Sequence, residues 1–363
     1  MVTATPNSIK EYYIAYFDVL GYKDFFENYP EKVPEFLALI HEAIGRAKEH
    51  VDLINQSPLL GTYANIDLRV KIFSDNMLIC MEASDGPVEP LRILAFIKVI
   101  SDIQRGFVLS YGLFVRGGIV KGQLSFNDDY VFGKGLIDAV QLEGAALYPR
   151  IVIHSNIANY LKDYRSFSQE DYENALRVEK LLSNGEEVSD TDRQQYEKTK
   201  NSLTMDWLLQ KAMDFTVLYW PDDCWVVDYL HIIELSDLVG QDNSKLLSQL
   251  ISDVSPDDAA TFMPKPQSGG QPMLTFDGVL SQHKTRVEEQ LAKFGKNDDI
   301  ALKDIKLAEQ REKVLRKYIW VMAFHNYICR KYQKPEHIIL TKCNCDTRFL
   351  KMTIEVINDE AGI

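Results

Sequence analysis

Residues 12–22, Tyr-Tyr-Ile-Ala-Tyr-Phe-Asp-Val-Leu-Gly-Tyr, and residues 70–76, Val-Lys-Ile-Phe-Ser-Asp-Asn, decide how this chain is read. Each is an apolar run of strand character that carries a carboxylate near its end, Asp18 in the first and Asp75 in the second. A charged group is costly in apolar surroundings unless it is paired or bound to a metal. Two strand-end aspartates set side by side by strand pairing make a site for a hard divalent cation such as Mg²⁺ or Mn²⁺. Phosphoryl-transfer chemistry uses ions held in this way. Either aspartate alone reads equally well as a cap on a turn or helix; the matching settings of the two favour the metal site.

Working outward, the glycine of Gly21-Tyr22 turns the first strand into a helix that begins near Lys23. Residues 34–55 place Phe36, Leu37, Ile40, Ile44, Ala47 and Val51 at helical spacing, which predicts a core-facing helix. Residues 66–72 and 77–81 predict two strands meeting at Ser74-Asp75-Asn76. A second amphipathic helix follows over 87–109, then strands over 114–123 and 130–132 joined by Asn127-Asp128-Asp129, a short helix over 135–147, and a strand over 150–154. The order β-α-β-β-α-β is the split βαβ pattern, an α+β fold whose expected form is an antiparallel sheet with helices on one face. From Asn156 the texture turns charged and poorly apolar, which predicts a solvated helical insertion over 156–214. A hairpin around Pro221-Asp222-Asp223 ends the first unit, expected to span 1–235. A Pro-, Gly- and Asp-rich loop at 255–272 belongs to a mainly helical segment over 236–363, expected to pack on that unit. Its long helix over 300–332 carries Trp320, Phe324 and Tyr327, an aromatic stripe read as packing.

With 363 residues, 46% hydrophobic and 11% aromatic, the chain has the composition of a folded protein. Its net charge of −13 argues against an electrostatic grip on nucleic acid or anionic lipid. A small polyphosphate that arrives with its own cations remains compatible with an acidic protein. Five cysteines, only Cys343 and Cys345 being close together, lack zinc spacing and read as reduced thiols. Met1 to Lys10 hold no apolar signal core, and no run approaches the roughly 18–20 apolar residues of a membrane span. The expectation is a cytoplasmic protein with no membrane and no nucleic-acid partner.

The same stretch continues with Leu113-Phe114-Val115-Arg116-Gly117-Gly118-Ile119, Gly122 and Val131-Phe132-Gly133. Together with residues 16–22 and 71–75, these blocks resemble the class III nucleotidyl cyclase catalytic domain, in order and in separation. The resemblance is closer to the pyrimidine cyclases of bacterial anti-phage signalling, the Pycsar cyclases. Phe73-Ser74-Asp75-Asn76, Arg116-Gly117-Gly118-Ile119, Tyr148-Pro149-Arg150-Ile151 and the segment from Trp320 to His325-Asn326 are similar to theirs.

That resemblance implies a cyclase acting on UTP, favoured over CTP, with pyrophosphate leaving and the cyclic product acting as second messenger for a separate effector. Asp18, Asp75 and the carbonyl of Val19 would hold two Mn²⁺ or Mg²⁺ ions. Phe17 and the main-chain amides of Leu20, Gly21, Tyr22 and Lys23 would bind the phosphates. Sites would form between the subunits of a homodimer. Lys71 stands where adenylyl cyclases read the base with a lysine, and reads equally as a solvent-facing strand lysine. Tyr130 stands where they carry an acid; a bulkier hydroxyl there suits a pyrimidine. Ile137 and Gln141 replace the Asn and Arg of the purine enzymes, so a transition-state cation would come from elsewhere. Arg116 and Arg150 are the candidates, each also readable as a structural ion pair. Two alternatives stay open: a nucleotide-binding regulatory domain without turnover, and a purine cyclase, which Lys71 alone supports.

Overall fold

The computed structural model describes residues 9–56, 67–86, 89–127, 129–165, 168–231, 275–294 and 305–340. The elements are β1 (Lys10–Val19), α1 (Tyr22–Asn28), α2 (Val33–Gln56), β2 (Leu68–Phe73), β3 (Asn76–Glu82), α3 (Glu89–Tyr111), β4 (Val115–Phe126), β5 (Val131–Phe132), α4 (Lys134–Ala145) and β6 (Ile151–Ile153). There follow α5 (Ser155–Asp163), α6 (Gln169–Ser183), α7 (Asp190–Thr216), β7 (Val217–Trp220), β8 (Cys224–Val227), α8 (Phe276–Phe294) and α9 (Ile305–Lys331). The loop at 255–272 and the Cys343–Cys345 pair lie outside the described residues. No helix among the described residues is long and apolar enough to cross a membrane.

The sheet runs β2-β3-β1-β4-β6-β8-β7, with β5 paired to β4. β1 is central, antiparallel to β3 on one side and to β4 on the other, and β2 pairs antiparallel with β3. This is the split βαβ order expected from the sequence. Two features differ from that expectation. β6 lies parallel to β4, so the sheet is mixed. Helices also cover both faces, because the central strands are apolar in both parities. Tyr13, Ala15, Phe17 and Val19 face a core built with Phe36 and Ile40 of α2, Ile93, Phe96 and Ile100 of α3, and Leu209 and Met213 of α7. Tyr12 and Ile14 face the other way, with Leu78, Cys80, Val120 and Ala139 of α4. Successive side chains of a strand point to opposite faces, so one ten-residue strand serves two cores.

Within α2, Phe36 and Ile40 are buried while Leu37 is 50% exposed. One residue further along a helix is about 100° around its axis, which turns Leu37 out of the core stripe. The charged insertion is helical as read, but it is not wholly solvated. Ile157, Ala158 and Leu161 of α5 join the first core, as do Leu209 and Met213 of α7.

α4 lies unusually close to the sheet. A side chain on Gly122 would stand 2.7 Å from Cα of Gly135, and one on Gly118 would stand 2.8 Å from Leu142. The glycines of the 117–122 block therefore set the height of α4 above β4. Gly122→Val forces the helix outward and should cost about 1–3 kcal/mol. Chemical denaturation of the variant checks this; an unchanged midpoint refutes the close docking.

The C-terminal helices share a third apolar cluster with Phe114, Val152, Leu218, Trp220 and Val226. The stripe on α9 is packing, as read: Trp320 stacks on Tyr148, and Phe324 stacks on Tyr229. Beneath it runs a buried hydrogen-bond chain. Tyr229 Oη is 2.9 Å from His283 Nε2, His283 Nδ1 is 3.0 Å from His325 Nδ1, and His325 Nε2 is 2.9 Å from the carbonyl of His337. The carbonyl can only accept, so His325 donates from Nε2 and accepts at Nδ1. His283 then donates from Nδ1 and accepts the Tyr229 hydroxyl at Nε2. Each donor in the chain has one acceptor, provided both rings are neutral.

Candidate functional site

Strand register builds the site. Asp18 is opposite Asn76 on β3 and opposite Arg116 on β4. Residues opposite one another share a face, so these three side chains project together toward the side that α4 covers. The Val19 amide donates to the carbonyl of Asp75 over 2.9 Å, which ties the end of β1 to the two-residue turn between β2 and β3. Ser74 in that turn has φ of +60°, a left-handed conformation that costs a residue with a Cβ roughly 1–2 kcal/mol. Asn76 donates from Nδ2 to Asp75 Oδ1 over 3.0 Å and accepts the Tyr16 hydroxyl at Oδ1 over 2.8 Å. Pairing thus brings the two aspartates of the opening motifs to one sheet end, and Asn76 orients one of them.

Arg116 forms an ion pair with Asp18 Oδ2 over 3.4 Å and a closer one with Glu143 of α4. Asp18 Oδ1 is fully buried with no hydrogen-bond partner. Burial pushes the Asp18 carboxyl up to about 6; Arg116 and Lys317 oppose the shift, while Glu143 and Asp75 add to it. Tyr16 is raised by burial first, and then by Glu143, Asp18 and Asp75. Four acidic or phenolic groups therefore press on one small volume, balanced by Arg116 and by Lys317 of α9. Burial lowers Lys317, Arg116 lowers it further, and Asp18 and Glu143 pull the other way.

Sequence reasoning missed Glu143 and Lys317. Glu143 had a signal: Gly135, Ala139 and Glu143 recur every fourth residue and all are buried, so the acid sits on the sheet-facing stripe of α4. Lys317 had none, because it lies in a charged stretch of α9 that reads as solvated.

The remaining candidates divide. The Leu20 amide already donates to the Phe114 carbonyl over 2.8 Å, so it is spent and cannot hold phosphate. The side chain of Phe17 is fully buried in the first core, which leaves only its main chain near the site. Gly21, exposed at φ +82°, makes the turn into α1, and Tyr22 packs edge-on to Phe36. Arg150 is directed elsewhere: its guanidinium pairs with Asp222 over 2.6 Å and lies over the rings of Tyr148 and Trp320. It takes the ion-pair role and anchors the β7–β8 hairpin against α9. Lys71 of β2 reaches over the Phe126 ring, and Tyr130 is 47% exposed before β5. Ile137 and Gln141 face outward on α4 and do not join the cluster.

The donor set fits a hard divalent cation. Two aspartates lie at one sheet end, one oxygen of Asp18 is buried without a hydrogen-bond partner, and oxygen ligands are what Mg²⁺ and Mn²⁺ take. A different acidic group, Asp277, Glu336 and His337, also converges. There Lys334 Nζ lies 2.9 Å from Asp277 Oδ1, so that cluster is an ion-pair clasp between the start of α8 and the segment after α9.

No family model matches the chain, and no curated protein matches it. Among solved structures, part of the chain is similar to the adenylyl cyclase CyaB from P. aeruginosa. The identity is 13%, the TM-score 0.31, and the match covers 43% of this chain and 82% of that one. A bacterial light-regulated adenylyl cyclase matches at 13% identity and a TM-score of 0.29, over 44% of this chain and 47% of that one. A class III adenylyl cyclase-like ATP-binding protein from Pseudomonas aeruginosa matches at 13% identity and a TM-score of 0.27, over 54% of this chain and 40% of that one.

Proposed function

We propose that this chain is a metal-dependent nucleotide cyclase acting on a pyrimidine ribonucleoside triphosphate, UTP ahead of CTP. The observation that carries the reading is the pairing of Asp18 with the Asp75 turn at one sheet end, with Asp18 Oδ1 buried and unpartnered. In the reaction, the ribose 3′-oxygen forms a bond to the α-phosphorus and loses its proton, while the bond from that phosphorus to the β-phosphate oxygen breaks and pyrophosphate leaves.

Asp18, Asp75 and the Val19 carbonyl would hold the two cations. Bound Mg²⁺ or Mn²⁺ supplies charge neutralisation and a lower pKa for the attacking hydroxyl. Arg116, fixed by Glu143, keeps positive potential beside Asp18. The main-chain amides of Gly21, Tyr22 and Lys23 would face the phosphates. Lys71 and Tyr130 select the base. Catalysis then rests on positioning and charge, with little general acid–base work.

Exposed apolar residues near one another in sequence support a homodimer: Tyr130 just before β5, Phe132 on β5 at 71% exposure, and Ile137 at 58% with Val140 on α4. The product would act as a second messenger on a separate effector in anti-phage defence, inside the cytoplasm. A second reading, a nucleotide-binding regulator without turnover, draws on the outward-facing Ile137 and Gln141, which supply no cation.

Pure protein incubated with Mn²⁺ and each of the four ribonucleoside triphosphates, read by mass spectrometry, separates these readings. A 3′,5′-cyclic pyrimidine monophosphate with pyrophosphate is the expected result. A cyclic purine product assigns base reading to Lys71 and removes the pyrimidine reading. Binding of nucleotide with no new phosphorus species moves the assignment to the regulator.

A further inference from the structure

Lys317 is the cation of the site that no sequence pattern announced, and its position is fixed by its neighbours on α9. Tyr318 packs edge-on against Phe114 with ring centroids 5.5 Å apart, and Phe114 lies two residues before Arg116. Trp320 stacks on Tyr148 at 5.5 Å, with the Arg150 guanidinium 5.5 Å from its ring. Ile319 and Val321 are buried. The helix is thus held by the four residues that follow Lys317, and the half-buried ammonium interacts electrostatically with Asp18, Glu143 and Arg116. It forms no direct ion pair among the described residues, whereas Arg116 holds both Asp18 and Glu143. A partly buried cation without a direct ion pair is costly, and such groups concentrate where a ligand completes them.

We propose that Lys317 contacts the phosphates of a polyphosphate ligand bound at the Asp18–Asp75 site of its own chain, supplying the cation that α4 lacks at Ile137 and Gln141. The inference rests on the reading of that site as a triphosphate site. A divalent ion held by Asp18 and Asp75 would offset the pull of Asp18 on the ammonium and leave that of Glu143. The nearest new anion is then the ligand. A lysine serves phosphate as a point charge without needing the planar fork of an arginine.

The test titrates inorganic tripolyphosphate into the full chain with Mn²⁺ by calorimetry, for the wild type, Lys317→Met and Lys317→Arg. Loss of a charged contact should weaken binding by about tenfold or more in Lys317→Met and leave Lys317→Arg within about threefold. Affinity for Mn²⁺ alone should hold or rise in Lys317→Met, because a positive charge has left the site; a purely structural role would lower it. Equal tripolyphosphate affinity in wild type and Lys317→Met overturns the proposal, as does a wild type that does not bind it. Lys317-dependent binding without cyclic product from any nucleotide sinks the cyclase reading and keeps this one. Wild-type turnover by Lys317→Met does the reverse.

Discussion

On the proposed cyclase reading, Asp18→Asn should lower formation of cyclic product by at least about 10³-fold and raise the melting temperature of the protein. The two effects have one cause. The carboxylate sits with one oxygen buried and unpartnered, and burial pushes its pKa from an ordinary 3.8 up to about 6. A native state that keeps its proton to higher pH than the unfolded chain loses stability as pH rises between those values. The penalty is absent near pH 4, grows toward pH 6 and is complete above it, with an upper bound of about 3 kcal/mol. Asparagine keeps the shape and removes the charge. The gain in melting temperature should therefore be seen at pH 7.5 and vanish at pH 4. Calorimetric melts of both proteins across that range, in the presence of chelator, make the comparison. A variant that is less stable than wild type at pH 7.5 contradicts the account of Asp18, and retained turnover contradicts its role as a metal ligand.

His283→Ala should cost about 3–5 kcal/mol of stability, since it opens a cavity and strands two buried polar groups, the Tyr229 hydroxyl and Nδ1 of His325. Urea unfolding followed by fluorescence measures it; a loss below about 1 kcal/mol refutes the chain of donors. The same arrangement makes the wild type acid-sensitive. Burial lowers His325 to about 4, with Lys284 and His337 adding positive charge nearby, and burial and His325 lower His283. The unfolded chain takes up protons first, below about 6.5. Stability is therefore full above that value and falls as pH drops toward 4, the opposite slope to that of Asp18. Protonating His325 turns two donors toward one another at 3.0 Å, and protonating His283 removes the nitrogen that accepts the Tyr229 hydroxyl.

The sheet order was legible because β1 and β3 are short, apolar and bounded by Gly21 and the Ser74-Asp75 turn. Its two-sided burial was also on the page: Tyr12, Tyr13, Ile14 and Ala15 are consecutive and apolar, which a strand with one wet face would not be. The parallel pairing of β6 was not legible, because three apolar residues carry no sign of direction. In the site, Asp18 and Asp75 could be placed because strand pairing is local to the motif. Arg150 and Lys317 could not. Which way each cation turns is settled by Asp222, Trp320 and Phe114, partners more than 30 residues distant or on other elements, and no spacing rule encodes them.

The clamping of α9 between Phe114 and Tyr148 has a consequence for synthesis. A chain emerging from the ribosome displays Asp18, Asp75 and Arg116 early, yet the helix that carries Lys317 and closes over Phe114 arrives some two hundred residues after Arg116. A nascent or clipped chain that ends before residue 305 holds the acidic half of the site and none of its late cation. On the proposed role of Lys317, the site stays incomplete until that residue has been made, so copies that stop short of it would be silent.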